Sequence, residues 1–62
     1  MRFVIIGAGR VGLRTARVLR DEGHDVTLVE RDERKIKRAR EQDFTVVEGD
    51  GSREDVLEEA GI

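Results

Sequence analysis

Three short hydrophobic runs alternate with stretches in which apolar residues appear only at helical spacing. Phe3-Val4-Ile5-Ile6 has no polar interruption, is rich in β-branched side chains and stops at Gly7, the pattern of a strand buried on both faces of a parallel sheet. From Arg10 to Glu22 the positions Val11, Thr15, Val18 and Leu19 recur along one helical stripe, and Gly23 follows as a left-handed stop, which predicts a first helix of about three turns. Asp25-Val26-Thr27-Leu28-Val29-Glu30 is again β-branched and ends at an acid, so it reads as a second strand. Asp32 is placed to cap a helix running to Gln42, whose apolar stripe is only Ile36 and Ala39, so packing rather than propensity must hold it. Phe44 to Glu48 forms a third strand and Gly49-Asp50-Gly51 a loop. Ser52, with Asp55 three residues on, is a weaker form of the capping box before a last helix from Arg53 to Ala60 that ends at Gly61.

The strict strand-helix alternation places the chain in the α/β class. Right-handed crossovers between parallel neighbours give a three-stranded sheet in the order 3-2-1, with the first two helices on one face and the third crossing to the other. The expected architecture is therefore β-α-β-α-β-α, a Rossmann-like half domain, with residues 1–62 forming one partial dinucleotide-binding domain. The first strand is left as an edge, and such edges invite pairing with another copy, so a homodimer covering Val4 to Ile6 is expected.

Composition narrows the chemistry. There is no cysteine and a single histidine among 62 residues, which leaves no disulfide framework, no metal cluster and no Ser-His-Asp relay. No catalytic or metal-ligating residue is expected, and the chain is read as a binding module rather than an enzyme. Its longest apolar run is far below the ~20 residues that cross a bilayer, and nothing resembles a secretory signal. The expectation is a cytoplasmic protein with no direct membrane insertion. Charged residues make up 42% of the chain at a formal net charge of −2, which excludes a globally basic nucleic-acid binder. Arg10, Arg14, Arg17 and Arg20 line one side of the first helix. With no aromatic platform beside them they read as a solvated face, with Arg17 and Asp21 a possible ion pair, so no nucleic-acid partner is expected. His24, between Gly23 and Asp25, reads as a turn residue.

The candidate chemistry sits at Gly7-Ala8-Gly9-Arg10-Val11-Gly12, a G-x-G-x-x-G loop between a strand and a helix. In that context the first glycine permits the tight turn, the second lets backbone approach a pyrophosphate, and the third lets the helix lie against the strand. The helix beginning here offers unpaired N–H groups and roughly half a positive charge to an anion, to which Arg10 adds its own. Glu30 ends the second strand near the ~20-residue offset at which an acid receives the adenosine ribose hydroxyls. A carboxylate there repels a 2′-phosphate, which favours NAD(H) or a simple adenine nucleotide (ATP, ADP or AMP). Arg31 could pair with a 2′-phosphate if Glu30 turned away. Asp50, Gly51 and Ser52 follow the third strand at the same end of the sheet, where they either border the adenine or form a plain turn and helix cap.

These residues resemble the TrkA N-terminal domain, also called the regulator-of-potassium-conductance (RCK) or KTN domain. The resemblance rests on Val4 to Gly12, Glu22-Gly23-His24-Asp25-Val26, Glu30, Gly49-Asp50-Gly51-Ser52, and Val56-Leu57-Glu58-Glu59-Ala60-Gly61-Ile62. It implies a cytoplasmic sensor that binds NAD(H), ATP or ADP and passes ligand-dependent movement to a potassium channel or transporter in the membrane. It further implies that Gly7, Gly9, Arg10 and Gly12 hold phosphates, Glu30 the ribose, and Asp50 with its neighbours the adenine side. Many members carry Asp where this chain has Glu30, and such domains run on through further strands. Two other readings share the glycine loop and the acid: the cofactor-binding start of an NAD-dependent oxidoreductase, and an excised or engineered minimal folding unit with no independent activity. Without a second half there is no nicotinamide pocket, so hydride chemistry is not expected of these residues alone.

Overall fold

A computed structural model of all 62 residues has six elements: β1 (Arg2–Ile6), α1 (Arg10–Asp21), β2 (Asp25–Glu30), α2 (Glu33–Glu41), β3 (Thr45–Glu48) and α3 (Glu54–Ala60). All three strands are parallel in one sheet with β2 in the middle, Arg2 opposite Asp25 and Thr27 opposite Thr45. The α/β class and the 3-2-1 order stand as expected, because parallel neighbours can be joined only by crossovers and each crossover here is one helix.

The core forms where β2 meets its two layers of helix. Leu28 and Val29 are the largest side chains sealed from solvent, at 0% and 1% exposure, and successive strand residues face opposite sides. Leu28 lies in a cluster with Leu13 and Ala16 of α1, Ile36 and Ala39 of α2, and Ala8, Phe44 and Val46. Val29 faces the side covered by α3, whose Ala60 is buried. Burying a side chain such as Leu28 stabilises by ~1.5–3 kcal/mol. Only ten residues of the chain are buried, so each of these contacts carries a large part of the total.

The stripe of α1 that faces the sheet differs from the expected one. Leu13 and Ala16 are buried and Leu19 is half-buried, while Val11 and Val18 are 78% and 53% exposed and Thr15 is exposed. Both stripes have helical spacing, so the pattern alone does not choose between them. The choice is made at Gly12, where a Cβ would stand 2.2 Å from the Gly7 carbonyl oxygen. The lack of room for a side chain there sets the first turn with Gly12, Leu13 and Ala16 inward and the valines toward the open side of β1. β1 itself is half-buried rather than enclosed on both faces, and Ile6 is 60% exposed, because β2 is its single strand partner.

Helix starts differ too. Asp32 caps α2 as expected, its Oδ1 accepting from the N–H groups of Arg34 at 2.9 Å and Lys35 at 3.3 Å. At α3 the cap position belongs to Arg53, which makes no side-chain cap bond. Ser52 is instead drawn back to Asp50, to which it donates both its N–H and its hydroxyl. Gly23 and Gly61 take the positive φ values expected of helix stops, +89° and +102°. At the amino end of the sheet, Arg17 donates to the Gln42 side chain rather than pairing with Asp21. Arg20 lies 4.1 Å over the Phe44 ring and donates to the Gln42 carbonyl, tying α1 to the end of α2. His24 stays in its turn, edge-on to Phe3, with Nδ1 3.1 Å from the Met1 amino group. No helix is long and apolar enough to cross a membrane.

Candidate nucleotide-binding site

All three strands deliver their carboxyl ends, and the loops that follow, to one side of the molecule. There the fold assembles the glycine loop, Glu30 with Arg31, and the Asp50-Gly51-Ser52 turn. A groove of about 480 Å³ runs along this end, lined by Ile5, Ile6, the loop backbone at Gly7, Gly9 and Gly12, and the side chains of Arg10, Val11 and Thr15.

The three loop glycines are held to different standards. Gly7 sits at φ +101°, in the left-handed region, and its N–H donates to the Val29 carbonyl at 2.8 Å, so the turn out of β1 requires it. Gly12 is required because a Cβ there would collide with the Gly7 carbonyl oxygen. Gly9 is required by neither: its backbone is extended, and a Cβ built there would meet nothing within 4 Å. Nothing inside the protein forbids a side chain at position 9, and the space it would fill lies directly in front of the start of α1.

That helix start is also left electrically unfilled. Gly9 is the cap residue and supplies no side-chain acceptor, and the first turn of α1 contains no acid. Leu13 is the first residue whose N–H returns to the loop, bonding the Gly9 carbonyl at 2.9 Å. The N–H groups before it carry the positive end of the helix dipole outward. Arg10 and Val11 are exposed at its rim.

Glu30 is tied to the backbone by three hydrogen bonds. Oε1 accepts the Ala8 N–H at 2.7 Å, and Oε2 accepts the N–H groups of Arg31 and Asp32, each at 3.0 Å. Partial burial pushes its pKa up, but the three backbone N–H groups and the nearby Lys35 charge outweigh this and hold it below the ordinary 4.5. In this arrangement the Glu30 carboxylate stays on the loop backbone and does not turn aside for Arg31. Arg31 is otherwise engaged, its Nη1 3.4 Å from Asp50 Oδ2 across the mouth of the site. Asp50 is in turn held below its ordinary 3.8 by the N–H and hydroxyl of Ser52, with Arg31 and Arg53 adding to the effect. Gly51 lies against the Ile6 side chain, which seats this turn at the end of β1.

The sequence-expected residues are thus brought together, with roles that differ in kind. Gly7, Gly9, Arg10, Val11 and Gly12 line the groove, whereas Glu30, Arg31, Asp50, Gly51 and Ser52 stand at the same end of the sheet outside its lining. Ala8 is 1% exposed with its methyl in the core, and its N–H is already given to Glu30. Sequence reasoning did not foresee that bond. No group of three His, Cys, Asp or Glu side chains is arranged to hold a metal ion.

A glycine loop joining the first strand of a parallel sheet to an uncapped helix, with an acid at the tip of the next strand, defines the class as the opening half of a Rossmann-like fold. Residues 3–62 match the TrkA-N domain, and the chain belongs to that family. It is 43% identical over its whole length to a Trk system potassium uptake protein TrkA homolog of Pyrococcus horikoshii, and spans 28% of that protein. It is 48% identical, again over its whole length, to one of Methanothermobacter thermautotrophicus, spanning 29%. With the Trk system potassium uptake protein TrkA of Azorhizobium caulinodans it shares 46% identity and spans 14%. The chain therefore spans less than a third of the length of these curated relatives.

Proposed function

We propose that this chain binds an adenine nucleotide or dinucleotide, NAD(H), ATP, ADP or AMP, at the glycine loop. In this reading it is the cytoplasmic nucleotide-sensing module of a potassium channel or transporter. The observation that carries the binding is the bare Cα of Gly9 facing open space before an uncapped, acid-free helix start. A glycine that the fold does not need, placed where a diphosphate would need it, is accounted for by the ligand. The phosphates lie on the exposed N–H groups of the first turn of α1 with Arg10 beside them. The ribose hydroxyls donate to the lone pairs that Glu30 has left, and Asp50 with its turn borders the adenine. Tied to the loop backbone, Glu30 disfavours a 2′-phosphate. The potassium-transport role is supported by membership of the TrkA-N family and by the names of the relatives. The membrane protein that moves the ion is a partner, and this chain binds, without catalysis, on the cytoplasmic side.

Calorimetric titration of the folded chain with AMP, ADP, ATP, NADH and NADPH tests the reading. Heat is expected from the ligands with a free 2′-hydroxyl and little from NADPH, and Gly9→Val abolishes it. A chain that is folded by circular dichroism and gives no heat with any of the five refutes the binding.

A further inference from the structure

α1 and α2 lie side by side over one face of the sheet, and the channel between them is lined with cations. Arg17 of α1 donates to the Gln42 side chain at the end of α2, which shows which sides of the two helices meet. Arg14 precedes Arg17 by three residues, and Arg38 and Lys35 precede Gln42 by four and seven, so helical spacing sets all of them along this channel. Arg34, one turn before Arg38, stands at its rim. All five cations are exposed, and none has a carboxylate at ion-pair distance, in a chain with 14 acids. The acids of α2, Glu33 and Glu41, turn to the far side of that helix, beside Lys37 and Glu48. α1 has one acid, Asp21, in its last turn. α3, on the opposite face of the sheet, carries Glu54, Asp55, Glu58 and Glu59 and no base. A net charge of −2 thus hides two faces of opposite sign.

Like charges one turn apart, as at Arg10 with Arg14 and at Arg34 with Arg38, lower the stability of a helix, so this arrangement is not one the fold needs. We propose that the channel docks the chain on an anionic phospholipid surface, with α3 turned away from it. The partner follows from what the channel offers, which is unpaired positive charge on long side chains and no apolar or aromatic anchor. Ile6, Val11 and Val18, where apolar side chains are exposed, lie toward β1 instead. A protein partner is gripped by buried aromatic and aliphatic anchors, and single-stranded nucleic acid by stacked bases. A layer of lipid headgroups is met by charge alone, because its mobile phosphates rearrange to suit the cations above them. The choice of a bilayer over a phosphate-bearing polymer rests on the role proposed above, in which the chain works beside a membrane. Such a surface attracts the channel and repels the acids of α3, so the separation of charge also sets which way the chain faces.

Sedimentation with vesicles tests this. In low salt the chain is expected to pellet with vesicles of phosphatidylglycerol and phosphatidylcholine in equal parts and to stay in solution with phosphatidylcholine alone. Added salt should release it, since screening shortens the reach of the charges. Arg14→Gln together with Arg38→Gln neutralises both walls of the channel outside the glycine loop and should lower the partition coefficient ~25-fold, at about fivefold per cation. Lys37→Gln together with Arg53→Gln removes the same net charge from the far side of α2 and the start of α3, and should lower it only about twofold. The circular dichroism of both variants should match that of the native chain. Equal losses in the two variants overturn the proposal, because net charge rather than this channel would then set the binding. A chain that ignores both kinds of vesicle overturns it too. So does tighter binding to poly-glutamate or to duplex DNA than to the anionic vesicles, which assigns the channel to an acidic protein or to nucleic acid. Nucleotide titration is read separately: a chain that binds nucleotide yet ignores anionic vesicles loses this inference alone, and one that pellets with them but binds no nucleotide keeps it.

Discussion

α1 and α2 begin at the same end of the sheet and lie on the same face, yet their first turns are built in opposite ways. At α2 the chain supplies its own anion: Asp32 caps two N–H groups, and Glu33 adds a second acid to the first turn. At α1 the cap is a glycine without a side chain, and no acid follows. The nearest carboxylate, Glu30, is turned onto the Ala8 N–H and its own strand end, so it stabilises the loop without covering the helix start. An N-terminal turn left without an anion gives up the ~1 kcal/mol that a cap contributes. One helix start is capped by the chain itself, and the other has no side-chain cap and no acid in its first turn.

The largest effect is expected where α1 meets β1. Gly12→Ala forces a methyl into the Gly7 carbonyl, 2.2 Å away, and should cost about 3 kcal/mol, enough to leave a chain of this size largely unfolded by circular dichroism. Glu30→Ala should cost ~2 kcal/mol in urea denaturation, chiefly by stranding the Ala8 N–H beside the core, and should weaken nucleotide binding as well. The same carboxylate sets an acid limit. Its pKa is lowered on folding, so its contribution is complete above the ordinary 4.5 and is lost as the pH falls through the lower folded value. The stability difference between the native chain and Glu30→Gln should therefore shrink in that acid window and stay constant above it.

Asp32→Ala removes the α2 cap and should cost ~1 kcal/mol while nucleotide affinity stays within about twofold. A large loss of affinity would mean that α2, not α1, faces the ligand. The smallest change in stability carries the sharpest contrast. Gly9→Asp gives α1 the cap that α2 already has and should stabilise the chain by about 0.5 kcal/mol. Calorimetry should at the same time find nucleotide binding abolished. A variant that is more stable and still binds would break the comparison.

The alternation of strand and helix was legible because each element carries its own period. Val26 to Val29 is a β-branched run, Ile36 and Ala39 form the only apolar pair in their helix, and both elements formed where the pattern put them. The glycine loop was legible for a related reason, since conformations closed to other residues leave a mark in composition, as at Gly7. The buried face of α1 was not legible. Val11 with Val18 and Leu13 with Ala16 are equally plausible stripes, and the lack of room for a side chain at Gly12 beside the Gly7 carbonyl chose between them. The start of α3 was misread because Ser52 has two backbone and side-chain options within reach, and the nearby Asp50 carboxylate took both its donors.

By itself the sequence determined the order of elements, the parallel sheet and the position of the glycine turn between β1 and α1, because these depend on residue type and spacing along the chain. Tertiary structure alone decided that Glu30 locks the loop through Ala8, that Arg31 reaches Asp50, and that Gly9 is the one loop glycine the fold does not need. Those are distances between residues far apart in sequence, and they exist only once the sheet has set its register and the helices have closed over it.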